Sequence, residues 1–263
     1  MRASRRGRSP RAQGWRPGSW LWPLAGALLL AACAAPTPTP APAPVAVLAT
    51  ELAAPLLRDL AAAYAEQAPG ADLVIDVAAP AAITDALSTG RADLALTSAP
   101  GPGQFATPLG YLRLTAVAQG DNPVTALTLA QVRAAFAGRA TDWAQLGGAP
   151  GRLQPVARAA GAETSALLKD AGLDEAAFTP NALVAPTWDA MAALVRENPG
   201  ALGYLPEPLL SNGLKAIRLD VDWRVLLVAV APAEPTGPAR DFLVWAQSAA
   251  GQAVVAARHE PLP

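Results

Sequence analysis

Asp121-Asn122-Pro123-Val124-Thr125-Ala126-Leu127-Thr128-Leu129-Ala130-Gln131-Val132-Arg133-Ala134-Ala135-Phe136-Ala137-Gly138 holds one complete helix together with its start and stop signals. Thr128 and Gln131 have the spacing of a capping box, in which the hydroxyl covers a free helical amide and the Gln side chain reaches back. The helix so begun runs to Phe136 and stops at Gly138. Outward from it, short apolar strands alternate with amphipathic helices, the pattern of an α/β protein. Strands are expected at Val45–Leu48, Leu73–Val77 and Ala92–Leu96. Leu52, Leu56, Leu57, Leu60 and Tyr64 recur at helical spacing, and further helices are expected over Ile83–Thr89, Thr164–Lys169, Trp188–Glu197 and Ala239–Arg258.

The start of the chain has a different character. Six arginines (Arg2, Arg5, Arg6, Arg8, Arg11 and Arg16) precede an apolar run, Trp20 to Ala32, that ends at the only cysteine, Cys33. Basic, apolar and small-residue segments in that order make a secretory signal. The run is short of the ~20 residues of a bilayer span. Residues 1–32 are therefore expected to be a lipoprotein signal peptide, with Cys33 lipidated and the mature chain anchored outside the cytoplasm on the bacterial cell membrane. Residues 33–44 hold the lipidated cysteine and a proline-rich tether, Pro36 to Pro44, too rich in proline for a helix.

Six of the 20 basic residues and none of the 21 acidic ones lie in this leader, so the mature chain carries a formal charge of −7. That excess of acid argues against nucleic acid as a partner. No cluster of Cys and His at zinc spacing, glycine-rich phosphate loop before a lysine, or G-x-S-x-G turn occurs. The lone histidine, His259, falls near the C-terminal end of the last helix, where a surface or dipole-capping role is expected. An enzyme, a metal site and a cofactor are not expected. Trp143, Trp188, Trp223 and Trp245 sit in periodic or strand-like segments and are expected in the core.

The stretch 121–128, with Phe136-Ala137-Gly138 and Thr141-Asp142-Trp143-Ala144-Gln145-Leu146-Gly147-Gly148, resembles the phosphate-binding proteins of ABC transporters. Those proteins carry N-P-V-x-x-L-T, a helix ending in F-S-G, and T-x-W-x-x-L-G-G. Arg158 with Gly161-Ala162-Glu163-Thr164 is similar to their R-x-x-G-S-G-T loop, and Pro199-Gly200-Ala201-Leu202-Gly203-Tyr204 to their P-G-A-I-G-Y strand entry. Asp241–Trp245 with Gly251–Val255 is similar to their closing helix. The resemblance implies a two-lobed type II periplasmic-binding-protein fold of class α/β, with two crossover strands and an interlobe cleft. Lobe one would comprise 45–115 plus 226–263 and lobe two 116–225, with crossovers near Leu114–Val117 and Leu226–Ala229. It further implies a monomer that delivers a small oxyanion, phosphate first, to an ABC permease.

The family cages its ligand with helix N-termini, hydroxyls and one arginine. The positions that match here are Thr50, Glu51, Ser98, Arg158, Gly161 and Thr164. The departures are acidic: Glu51 replaces a hydroxyl, Ala162 and Glu163 replace a serine and a glycine, and Ala78–Ala82 replaces a G-S-G turn. Three arrangements stay open for the glutamates. They stand in first helical turns facing solvent, or they face the cleft and repel an anion, or Glu163 pairs with Arg158 and neutralises the site. A cleft altered in this way equally suits a sensor, adhesion or scaffold lipoprotein that no longer transports.

Overall fold

A computed structural model describes residues 43–159, 161, 163, 167–168, 172–173 and 178–263. The signal peptide expected over 1–32, Cys33, the tether up to Pro42, Thr164 and most of the helix expected over 164–169 lie outside the described residues. Strand β1 (Val45–Ala49) leads into helix α1 (Ala54–Gln67), which has proline in its first turn. Its inward face, Leu56, Leu57 and Leu60, is fully buried, each side chain contributing about 1.5–3 kcal/mol. Strand β2 (Leu73–Val77), helix α2 (Pro80–Ser88) and strand β3 (Leu94–Thr97) follow. Helix α2 begins earlier than its apolar residues suggest, because Pro80 supplies a helical φ at a position that needs no amide hydrogen.

Strand β4 (Phe105–Gln119) is the backbone of the architecture and is far longer than the crossover expected at Leu114–Val117. After it come β5 (Ala126–Leu127) and α3 (Leu129–Phe136). The capping box of α3 forms as expected: Gln131 N donates to Thr128 Oγ1 at 3.2 Å, and Thr128 N donates to Gln131 Oε1 at 2.8 Å. Gly138, at φ +71°, makes the left-handed exit that a Cβ would strain. Next are β6 (Gln154–Arg158), β7 (Leu183–Ala185), α4 (Trp188–Glu197), β8 (Ala201–Pro206), β9 (Leu214–Leu219) and β10 (Arg224–Ala231). The chain closes with α5 (Gly237–Gln247) and α6 (Ala249–Ala256).

The single helix expected over 239–258 is thus two helices. Ser248 breaks it by taking an extended conformation and capping the second helix, its hydroxyl accepting from Gly251 N at 3.4 Å. Gly251 packs so closely on the carbonyls of Trp245 and Ala246 that a side chain would collide with them.

The strands lie in the order β2-β1-β3-β10-β4-β8-β6-β7, with β9 beside β4 and β5 beside β9. The first part of β4, up to Arg113, pairs with β10, and from Leu114 onward it pairs with β8 and β9 instead. One strand therefore runs from one half of the sheet into the other. Because β3 and β4 are both antiparallel to β10, the parallel trio β1, β2 and β3 runs in the direction of β4, whereas β8, with its parallel partner β6, runs against it. The carboxyl ends of the two sets consequently point at each other. Open α/β sheets bind ligands at such ends.

Each half has its own aromatic centre. Tyr204 meets Phe136, Trp188 and Trp223 at 5.6–6.0 Å between ring centroids, and Tyr64 meets Phe242 and Trp245 at 5.1–5.3 Å. Trp143, Trp188 and Trp223 are buried as expected, while Trp245 is half-buried. Its indole N–H reaches Gln67 at 3.0 Å. The glycines of the Pro199–Tyr204 stretch have packing reasons: Gly200 lies against the carbonyl of Arg152, and Gly203 lies beneath Val195 and Met191 of α4.

Candidate functional site

The loops after β1 and β2 face those after β6 and β7 across a pocket of about 430 Å³. Thr50 and Glu51 follow β1, and Ala78, Ala79 and Pro80 follow β2. From the other side come Arg158, the last residue of β6, with Gly161 and Glu163 beyond it, and Pro186 after β7. Of the residues singled out from sequence, Thr50, Glu51, Arg158 and Gly161 line one pocket. Ser98 joins them through a hydrogen bond to Glu163. Thr164 lies outside the described residues.

Glu163 reaches across to the first half of the sheet. Its Oε1 accepts from Thr50 Oγ1 at 2.6 Å and from Ser98 Oγ at 2.9 Å, with the Ser98 amide at 3.5 Å. Burial raises its carboxyl above the ordinary value, because a charge loses solvation there, and the Thr50 and Ser98 donors pull the other way. The like charge of Glu51 adds to the rise.

Glu51 reaches in the opposite direction. Its Oε2 accepts from Arg158 Nη2 at 2.9 Å and its Oε1 from the backbone amide of Trp188 at 2.8 Å. That amide opens helix α4, where the first N–H groups lack intrahelical partners and the helix dipole favours a carboxylate. Thr187 caps the same helix by accepting from Ala190 N at 3.0 Å. Both glutamates therefore face the cleft, which overturns the solvent-facing arrangement. Arg158 pairs with Glu51 and not with Glu163, because Glu163 is drawn to the two hydroxyls of the opposite loops.

Arg158 is held tightly. Its side chain is 11% exposed, its guanidinium lies 4.7 Å from the centre of the Trp188 ring, and its backbone N–H donates to Tyr204 Oη at 3.1 Å. Its Nε and Nη1 are shielded from solvent and have no hydrogen-bond partner among the described residues. Two unpartnered buried donors on a charged group beside a pocket are what an acceptor-rich ligand would satisfy.

Trp188 is the site residue that sequence reasoning missed, since its ring was assigned to the core alone. The ring is indeed buried, but its amide and its face both serve the pocket. The available signal was Thr187, an N-cap residue that follows Pro186 and directly precedes a helical pattern. His259 was expected at the surface. It is half-buried, both ring nitrogens lack partners among the described residues, and burial pushes its pKa below the ordinary value. It does not line the cleft pocket. Among the described residues no three His, Cys, Asp or Glu side chains are grouped to hold a metal, and no helix is long and apolar enough to cross a membrane.

A family model described as a PBP superfamily domain, PBP denoting periplasmic-binding protein, matches residues 34–213. The chain belongs to the PBP superfamily. Solved structures agree on the fold. A candidate phosphate ABC transporter substrate-binding protein from Clostridium perfringens, solved with bound phosphate, superposes with a TM-score of 0.76 at 21% identity. The match covers 84% of this chain and 100% of that one. An ABC-type phosphate transport receptor from Vibrio cholerae gives 0.67 at 21% identity, over 83% and 100% of the two chains. HinK, a LysR family transcriptional regulator from Pseudomonas aeruginosa, gives 0.58 at 18%, over 78% of this chain and 69% of that one. No curated protein matches the sequence. The two-lobed PBP fold with its interlobe cleft is thus common to proteins of different function, and function has to be argued from the site.

Proposed function

We propose that the chain is an extracytoplasmic solute-binding lipoprotein that closes its cleft on a small oxyanion, phosphate first, and presents it to the permease of an ABC importer. In this reading residues 1–32 are removed, Cys33 carries the lipid, and 33–44 tether the domain. Lobe one is 45–115 plus 226–263, lobe two is 116–225, and the protein acts as a monomer. One observation carries it: the hydroxyls of Thr50 and Ser98, the Arg158 guanidinium and the Trp188 amide converge from both halves and are already bound to carboxylate oxygens. Donors set to hold a carboxylate from two sides are set for a tetrahedral oxyanion as well. Hinge motion of the lobes would then report loading to the permease.

A second reading, a non-transporting sensor, adhesion or scaffold lipoprotein, is favoured by the same contacts seen from the other side. The oxygens filling those donors belong to Glu51 and Glu163, so the inherited site is occupied by the chain itself. Titration calorimetry of the detergent-solubilised full chain with phosphate, with sulfate and molybdate as controls, separates the two. Micromolar phosphate binding supports transport. Absence of heat from all three supports the second reading.

A further inference from the structure

The four short bonds in the cleft have a reciprocal pattern. Glu51 belongs to the loop after β1, and its carboxylate bonds donors of the opposite half, Arg158 on β6 and the first amide of α4. Glu163 lies beyond β6, and its carboxylate bonds Thr50 and Ser98, which follow β1 and β3. Each lobe thus inserts one carboxylate among the other's donors. We propose that Glu51 and Glu163 are internal ligands that hold the cleft shut without solute, so that an oxyanion binds only in exchange for them and these two residues set the ligand selectivity of the cleft.

The exchange is physically reasonable because both sides of it resemble each other. A carboxylate and a phosphate oxygen make the same charge-assisted contacts with hydroxyl, amide and guanidinium donors. When the cleft opens, the two carboxylates regain water and the donors become available. Selectivity follows from charge. Arg158 compensates Glu51, but no cation bonds Glu163 among the described residues, so the pocket keeps an unbalanced negative group. An anion entering while that group remains ionised meets like-charge repulsion, which a partly desolvated pocket strengthens relative to water. The rest of the described wall is glycine, alanine, valine and proline and supplies no side-chain donor to offset this.

The inference rests on the oxyanion reading of the cleft only for the exchange, and the closure can be tested without any ligand. The Trp188 amide is the reporter, since it is bonded across the cleft by Glu51 and is not touched by Glu163. Hydrogen exchange at that amide should be slow in the ligand-free full chain in detergent. It should quicken at least tenfold in Glu163→Ala, with a smaller effect in Glu163→Gln, which can still accept from the two hydroxyls. Amides of β1 and β10 that exchange at the native rate show that the variants are folded. Phosphate should bind Glu163→Ala at least tenfold more tightly than the native chain and restore protection at Trp188. Native exchange at Trp188 in Glu163→Ala overturns the internal-ligand proposal, whether or not phosphate binds. Rapid exchange in that variant with no phosphate binding to any form upholds the self-closed cleft and overturns the oxyanion reading.

Discussion

Replacing Arg158 by methionine should leave the stability of the fold within about 2 kcal/mol of native while weakening the cleft's hold on anions by one to two orders of magnitude. The side chain is 11% exposed and looks like a structural residue, yet its contributions nearly cancel. The variant loses a charged hydrogen bond to Glu51, in general about 1.5–3 kcal/mol. Here the lower end applies, because the Glu51 side chain is 40% exposed and screened by solvent. It also loses the guanidinium stack on Trp188, about 0.5–2 kcal/mol. Against this, Nε and Nη1 are buried without partners among the described residues, and each such donor costs about 1–3 kcal/mol. Methionine keeps much of the apolar stem and its packing, and Glu51 retains the Trp188 amide and its access to water. Guanidinium unfolding followed by tryptophan fluorescence reads the stability. Phosphate calorimetry reads the site, where loss of a charged contact should weaken binding by about 10- to 150-fold. A loss of more than about 3 kcal/mol in unfolding would refute the reasoning and make Arg158 a scaffold residue.

Burial holds the Glu163 carboxyl above its ordinary 4.5, so the folded chain keeps that proton to higher pH than the unfolded one. Its contribution to stability grows as pH falls from above the folded value to below 4.5. Native protein should therefore gain stability relative to Glu163→Gln on acidification, and parallel unfolding profiles of the two would contradict this. Glu260 behaves oppositely: bonds from Arg224 and Arg113, both at 2.8 Å, hold its carboxyl below 4.5 and tie the end of the chain to β10 and β4. The advantage of native protein over Glu260→Gln should be present above pH 4.5 and disappear as pH falls through the depressed value, as a thermal melt series would reveal. Gly203→Ala would place a Cβ 2.8 Å from Val195 Cγ2 and 2.9 Å from Met191 Sδ. It should lower stability by about 1–3 kcal/mol through overpacking of α4 on β8, and a neutral melt would show that α4 yields more easily than the packing suggests.

Local chemistry made much of the fold legible. The Thr128–Gln131 box, the Gly138 stop and the apolar stripe of α1 depend on residues within a few positions of one another, and short-range sterics and hydrogen bonding fix them whatever lies beyond. The break at Ser248 was not legible, because the helical pattern runs through it and the turn is set by how closely Gly251 approaches the preceding helix. Nor was the length of β4, since its two ends are stabilised by different partner strands, β10 and then β8 and β9, drawn from distant parts of the chain.

The candidate site divides the same way. Sequence alone determined which groups are available: two hydroxyls, one arginine, two intrusive carboxylates, and too little basic charge to draw an anion by net attraction. It left open where the carboxylates go, because Thr50 and Glu163 are separated by 113 positions, as Glu51 and Arg158 are by 107. Only the opposed carboxyl ends of the two strand sets bring those positions within hydrogen-bonding distance. Burial makes Glu163 seek donors and the Arg158 charge draws Glu51, and the donors that each carboxylate meets lie on the other lobe. The residue types came from the sequence; the crossed pairing, Glu51 with Arg158 and Trp188, Glu163 with Thr50 and Ser98, was decided by tertiary structure, because a desolvated charge is partnered by whatever the fold places against it.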